Sequence, residues 1–348
     1  MVSVILAGGK GHRLWPESRQ THPKQLCKFI DNRSMLDHTI DRLMSAGSDR
    51  IIIITSDDLL NSIISMIQER PDQDNIEVLS EPQGKNTAPA VGLVLSRYAT
   101  FDGETVFGIF PADHHVLDAE SFKHCIEQAV LAAQHNHIAT IGIQPDRPET
   151  GYGYIEKSKW EIGEIPDVYG VESFCEKPDL TVAESYLTSG RHMWNSGIYI
   201  AKAQTFMDEF SSFLPEIYAQ LQLGYENYVH SYDLLPSISL DYGIAEKSSR
   251  MAVVSGDFGW CDLGSWNALT DLFGNDQENN TCSGNDIMIM ESQNCLVRQS
   301  EKSIVLFGVT NLLVVETDGI ILVSDRQRAQ DIRTIVDLLH TKNRNDLL

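Results

Sequence analysis

Val2-Ser3-Val4-Ile5-Leu6-Ala7-Gly8-Gly9-Lys10-Gly11-His12-Arg13-Leu14-Trp15-Pro16 begins with five residues suited to a strand and then places Gly8, Gly9 and Gly11 in quick succession. A short apolar run bounded by glycine reads as a strand buried in a sheet. A glycine-rich turn straight after such a strand lies at the carboxyl edge, where open α/β sheets present their ligands. Without side chains, backbone N–H groups can approach a phosphate closely, and Arg13 adds a planar cation. The loop matches neither common phosphate signature: GxGxxG fails at Leu14, and no GxxxxGK[ST] run exists. Taken alone, the pattern leaves an ordinary tight turn open.

Working outward, Ile51-Ile52-Ile53-Ile54-Thr55 reads as a second strand, and residues 34–46 between the two read as a helix. Ser34 and Asp37 suit a capping box, Leu36, Ile40, Leu43 and Met44 share one face, and Gly47 suits the C-terminal cap. Further strands are expected at 76–80, 105–110, 138–143, 171–175 and 194–201. Helices are expected near 58–69, 87–99, 120–135, 180–189 and 203–222. The fold class is therefore α/β, a Rossmann-like, mainly parallel mixed sheet flanked by helices. A polar link at 275–285 leads into short strands near 286–290, 295–298, 304–306, 312–315 and 320–323, followed by a helix over 326–340. This pattern predicts a catalytic domain over 1–275 and a small β-rich domain over 276–348.

A formal net charge of −22 over 348 residues repels nucleic acid and anionic membrane surfaces. One local exception stands out. Between Gly8 and Phe29, Lys10, Arg13, Arg19, Lys24 and Lys28 oppose Glu17 alone. No apolar run reaches the length of a membrane span, and the first residues lack the basic leader of a secretory signal, so a cytoplasmic location is expected. The six cysteines form no CxxC pair, which points to reduced thiols rather than a zinc cluster or disulfide framework.

The run Leu6 to Gln25, with its Pro23-Lys24-Gln25, resembles the signature of the sugar-nucleotide pyrophosphorylases, most closely the branch that transfers guanylyl to mannose 1-phosphate. Further segments follow in that family's order: Glu81-Pro82-Gln83-Gly84-Lys85-Asn86-Thr87, Phe110-Pro111-Ala112-Asp113-His114, Gly151-Tyr152-Gly153-Tyr154-Ile155, Cys175-Glu176-Lys177-Pro178, Trp194-Asn195-Ser196-Gly197 and Gly259-Trp260-Cys261-Asp262-Leu263-Gly264. The resemblance spans nearly the whole chain. It implies GTP and mannose 1-phosphate as substrates, GDP-mannose and pyrophosphate as products, a short left-handed β-helix at the C-terminus and a homodimer. Two departures stand out: His12 replaces a small hydroxyl residue common in the family, and Cys175 and Cys261 directly precede Glu176 and Asp262, where core thiols are expected.

The chemistry fits these residues independently of the resemblance. A sugar 1-phosphate is already anionic near neutral pH, since a phosphate monoester has a second pKa of about 6. Catalysis then rests on charge neutralisation and in-line alignment rather than on a strong base. Mg2+ suits that need and takes one or two carboxylates plus phosphate oxygens and waters. Asp113, after a strand, and Asp262 are the candidate ligands, although either could instead form a turn. Arg13 and Lys24 are candidates for the β- and γ-phosphates. The resemblance further implies that Leu6, Ala7, Gly8, Gly9 and Gly11 line the nucleotide with Glu81, Asn86 and Thr87, where Asn86 could equally cap a helix. It also implies that Gly153, Glu176, Lys177 and Asn195 hold the sugar phosphate. His114 and His115 lack the companions of a zinc site. No fused isomerase motifs are present, so a single activity is expected. Alternatives are another hexose or heptose 1-phosphate, another base, or a silent regulatory subunit that binds sugar nucleotide.

Overall fold

In the computed structural model, Val2–Leu6 forms the first strand, β1, with Val2, Val4 and Ile5 buried and Leu6 partly buried. The structure describes residues 1–9, 11–98, 102–163 and 165–348. They divide into two compact units: one comprises 1–9, 40–112 and 116–260, the other 10–39, 113–115 and 261–348.

The first unit is built on one nine-stranded sheet. After β1 come β2 (Arg50–Ser56), β3 (Ile76–Glu81), β4 (Val106–Pro111), β5 (Ile138–Ile143), β6 (Gly153–Glu161), β7 (Val168–Glu176), β8 (His192–Lys202) and β9 (Met251–Gly256), in spatial order β3-β2-β1-β4-β8-β5-β9-β7-β6. The first four in the chain are mutually parallel, with Val4 opposite both Ile52 and Ile109. From β4 onward antiparallel pairings dominate, because β8 runs against both of its neighbours, and only β5 and β9 are parallel. β6 pairs with both β7 and β8. The parallel part coincides with the crossover pattern of the sequence, and β6 and β9 complete the sheet.

Helix α1 (Met35–Ser45) starts as its sequence dictates: Ser34 Oγ accepts from the Asp37 N–H at 3.0 Å while Asp37 Oδ2 accepts from the Ser34 N–H at 3.3 Å. It ends at Gly47, whose φ of 88° lets the Ser48 N–H reach back to the Leu43 carbonyl at 3.1 Å. Helices α2 (Asp57–Gln68), α3 (Thr87–Arg97), α4 (Ala119–Gln134) and α5 (Leu180–Ser189) fall within two residues of their sequence bounds. The expected helix over 203–222 is instead two, α6 (Ala203–Phe213) and α7 (Pro215–Leu221). Pro215 supplies no N–H to continue the ladder and starts a new helix.

The second unit joins the C-terminal strands to an N-terminal segment. Thr281–Ser283, Leu296–Arg298 and Leu312–Thr317 form one parallel ladder, closed by antiparallel Ile320–Asp325. Ile287–Met290 and Ile304–Phe307 form a second parallel ladder. Its core draws Leu14, Trp15, Cys27, Phe29 and Met35 together with Leu296, Leu313, Val315, Ile332 and Val336. Hydrogen bonds fasten the two stretches, among them Trp15 Nε1 to the Leu347 carbonyl at 2.7 Å, Trp266 Nε1 to the Trp15 carbonyl at 3.0 Å, and Arg298 forking onto Glu17 at 2.9 and 3.0 Å. The C-terminal helix begins as a 3-10 turn, Arg326–Asp331, before α-helix Ile332–Thr341. Among the described residues no helix is long and apolar enough to cross a membrane.

Candidate active site

Lys24 is the centre of the candidate site in the second unit. Pro23 turns the chain into a short 3-10 helix, Lys24–Leu26, and the Lys24 side chain is 9% exposed. Its ammonium donates to Asp113 Oδ2 at 2.8 Å and to the Asp262 backbone carbonyl. Residues far apart in sequence, 24, 113 and 262, thus converge on one cation. Burial works to raise the Asp113 carboxyl, but the Lys24 ammonium and neighbouring His114 overrule it and hold the group below the usual carboxylate range. Gly11 makes room for this arrangement: its φ is 53°, and a Cβ there would lie 2.8 Å from that of Lys24.

Asp262 sits in a tight turn. Its Oδ1 accepts from the Gly264 N–H at 2.8 Å, and Leu263 between them takes a φ of 46°. The turn-forming role allowed by the sequence is real and coexists with the place beside Lys24. Arg13, in the 3-10 helix His12–Leu14, is exposed and forms no ion pair with another described residue. Lys10 and the side chain of His12 lie outside what is described.

In the first unit, the loop after β1 extends the sheet by one residue, with the Ala7 N–H donating to the Ile54 carbonyl at 2.7 Å and Thr55 Oγ1 to the Ala7 carbonyl at 3.3 Å. Leu6 ends the strand, and a side chain added at Gly9 would meet nothing. Gly8 is different: a Cβ there would lie 2.4 Å from Glu81 Oε1. Glu81 closes β3 and is buried, and its other oxygen accepts from the Tyr232 hydroxyl at 2.9 Å. Burial raises its carboxyl, against the lowering effect of the Tyr232 hydrogen bond and the Lys85 backbone.

Asn86 caps α3, its Oδ1 accepting from the Thr87 N–H at 3.0 Å. Thr87 Oγ1 accepts from the Leu240 N–H at 2.8 Å, and Lys85 Nζ donates to the Leu235 carbonyl at 2.6 Å, so this segment is fastened along 235–240.

Gly153, Glu176, Lys177 and Asn195 are brought together at the joined ends of β6, β7 and β8. A Cβ on Gly153 would lie 2.5 Å from Glu176 Oε2 and 3.3 Å from the Asn195 Cβ. The Glu176 side chain is 7% exposed and paired with Lys177. Burial and then the charge of Asp241 raise its carboxyl, with Lys177 opposing them. Sequence reasoning missed Asp241, Tyr199 and Thr140, which all bond the Asn195 side-chain amide or each other. Asp241 begins a π-helical turn, Asp241–Ala245, a form that periodicity does not reveal.

The nucleotidyl transferase family matches residues 2–279, and the MannoseP isomerase/GMP-like beta-helix domain matches residues 284–339. This chain belongs to the nucleotidyl transferase family. A relative from Vibrio cholerae is 37% identical over 99% of this chain and 75% of its own length. A mannose-1-phosphate guanylyltransferase from Klebsiella pneumoniae is 33% identical over the same shares. A crystal structure from Thermus thermophilus, described as a mannose-1-phosphate geranyltransferase, is 31% identical with a TM-score of 0.87, covering 97% of this chain and 99% of that one.

Nucleotidyl transferases of this family generally use a divalent metal. Among the described residues no three His, Cys, Asp or Glu side chains gather into a metal cage. One carboxylate oxygen and one backbone carbonyl oxygen meet the Lys24 ammonium, and with substrate phosphates and waters these are oxygen donors of the kind a hard divalent cation accepts. In this nucleotidyl transferase Cys261 is buried, as expected of a core thiol, whereas Cys175 is only half-buried and faces the Tyr186 hydroxyl.

Proposed function

We propose that this chain is a mannose-1-phosphate guanylyltransferase, converting GTP and α-D-mannose 1-phosphate to GDP-mannose and pyrophosphate. A phosphate oxygen of the sugar attacks the α-phosphorus in line, the bond from that phosphorus to the β-phosphate oxygen breaks, and no covalent enzyme intermediate forms. The observation that carries the reading is the buried Lys24 ammonium shared by Asp113 and the Asp262 carbonyl, a charge centre of the kind phosphoryl transfer requires. The activity named for the Klebsiella pneumoniae relative supports mannose and guanosine.

Lys24 and Arg13 bind the β- and γ-phosphates and take up the charge of departing pyrophosphate. Asp113 and Asp262 would hold Mg2+, which would supply neutralisation of phosphate charge there. Leu6, Ala7, Gly8, Gly9 and Gly11 line the nucleotide, and Glu81, Asn86 and Thr87 meet the base. Lys177 binds the sugar phosphate, while Gly153, Glu176 and Asn195 form the hexose site. The reaction is assigned to residues 1–275 and to the cytoplasm.

The β-rich part, 276–348, serves a homodimer. Met288, Met290, Val305 and Phe307, opposite one another on two paired strands and each more than half exposed, offer a second copy an apolar face. Light scattering coupled to size exclusion checks this, and a monomer at micromolar concentration would overturn it.

The decisive assay is pyrophosphate release across four nucleoside triphosphates and several sugar 1-phosphates. Turnover confined to GTP with mannose 1-phosphate is expected. Turnover only with another sugar removes the substrate assignment, and none with any pair removes the enzyme in favour of a silent regulator.

A further inference from the structure

Asn195 has no N–H left to offer a ligand. Its Nδ2 donates to the Tyr199 hydroxyl and to Asp241 Oδ1, both at 3.0 Å, and a side-chain amide carries only those two protons. Its Oδ1 accepts from the Thr140 hydroxyl at 2.8 Å and from the Gly197 N–H at 3.3 Å. The Tyr199 hydroxyl, in the core, donates to the same Asp241 oxygen at 2.6 Å. Two groups on β8 therefore grip one edge of the Asp241 carboxylate, and Oδ2 has no hydrogen-bond partner among the described residues.

A second carboxylate lies near Asp241. Asp241 is half-buried, close enough to Glu176 for the two charges to repel, and Glu246 accepts from the Glu176 N–H at 3.1 Å. The backbone of Gly153 passes beside Glu176 and Asn195 with no side chain between. Two neighbouring carboxylates repel a further anion but accept from O–H donors, and a ring with vicinal hydroxyls offers two such donors. Burying acceptors at fixed positions makes a site strict toward a ligand that lacks the matching hydroxyl.

We infer that Asp241 is a sugar-binding residue of this chain, accepting a hexose hydroxyl through Oδ2, with Asn195 and Tyr199 acting as positioning residues that fix its other oxygen. The inference rests on the proposed use of a hexose 1-phosphate.

The test compares wild type, Asp241→Asn and Tyr199→Phe by steady-state pyrophosphate release, at saturating GTP, with mannose 1-phosphate and its monodeoxy analogues. Asp241→Asn should raise KM for the sugar phosphate about tenfold or more while KM for GTP stays within about twofold. The deoxy analogue that suffers most with wild type should lose that disadvantage in the variant, which a general loosening of structure would not achieve. Tyr199→Phe, which keeps every carboxylate, should move KM in the same direction by about threefold. Unchanged sugar KM in Asp241→Asn, or an undiminished deoxy penalty, overturns the inference. If that variant does not fold, wild-type kinetics in Tyr199→Phe overturn it instead. A wild-type chain that uses no hexose 1-phosphate overturns the proposed reaction and this inference with it. Wild-type turnover beside an unaffected variant overturns the inference alone.

Discussion

Two clusters of charge are built on opposite principles. Around Lys24, a cation is taken out of water and compensated by the Asp113 carboxylate and the Asp262 carbonyl, so charge is balanced within the protein. Around Asp241 and Glu176, carboxylates crowd together, and Lys177, paired with Glu176, is the ion-pair partner found there. The first arrangement favours the folded chain as it stands, whereas the second stores repulsion that a hydroxylic ligand can relieve. The proposed reaction, which handles a charged phosphate chain and a neutral ring, calls for that difference.

The sharpest way to break the comparison is Asp113→Asn. Turnover should fall by about a thousandfold with the circular dichroism spectrum unchanged, and wild-type turnover in Mg2+ would remove Asp113 from the mechanism. Lys24→Met should cost about 3 kcal/mol of stability, because it leaves a carboxylate without its cation, and adding Asp113→Asn should restore much of the loss. Urea midpoints of the four proteins measure this cycle. The sign of its pH dependence follows from the depressed Asp113 carboxyl: the stabilisation is complete above the unfolded value of about 3.9 and is lost as pH falls through the lower folded value. The gap between wild type and Asp113→Asn should therefore shrink on acidification.

Gly153→Ala tests the other cluster, since its Cβ would lie 2.5 Å from Glu176 Oε2. KM for the sugar phosphate should rise about tenfold and KM for GTP should hold, and equal changes in both would point to a general distortion. The smallest effect is expected from Glu176→Gln. Because the Glu176 carboxyl is raised in the folded chain, wild-type stability falls as pH climbs from the ordinary value of about 4.3 through the raised one. The amide variant lacks that loss, so its melting temperature should exceed that of wild type at pH 7 and converge with it near pH 4. A lower melting temperature at pH 7 would show that the Lys177 pairing outweighs the repulsion.

The parallel half of the sheet was legible because its strands are apolar runs closed by glycine or polar turns, as in Ile51 to Thr55, and because α1 carries both of its caps. The strand β9 went unread, since Met251 to Gly256 follows a π-turn rather than a crossover helix. Lys24, Asp113 and Asp262 each lie in a distinctive motif, and the structure does bring them together. Asp241 carries no such mark. It is tied to Asn195, 46 positions away, by a side-chain hydrogen bond. Hydrogen bonds between buried side chains follow from tertiary packing, which spacing along the chain does not encode.

Trp15 sets a limit on how this protein can be recombined. Its indole binds the Leu347 carbonyl, and its neighbours Leu14, Cys27 and Phe29 share a core with Leu313 and Val336. The matches to two families divide the chain near residue 280, but packing draws its seam elsewhere. A chimera that exchanged only the last seventy or so residues with a relative would strand half of a core on each side. The transplantable module is discontinuous: residues 10–39, 113–115 and 261–348 form one compact unit and have to travel together.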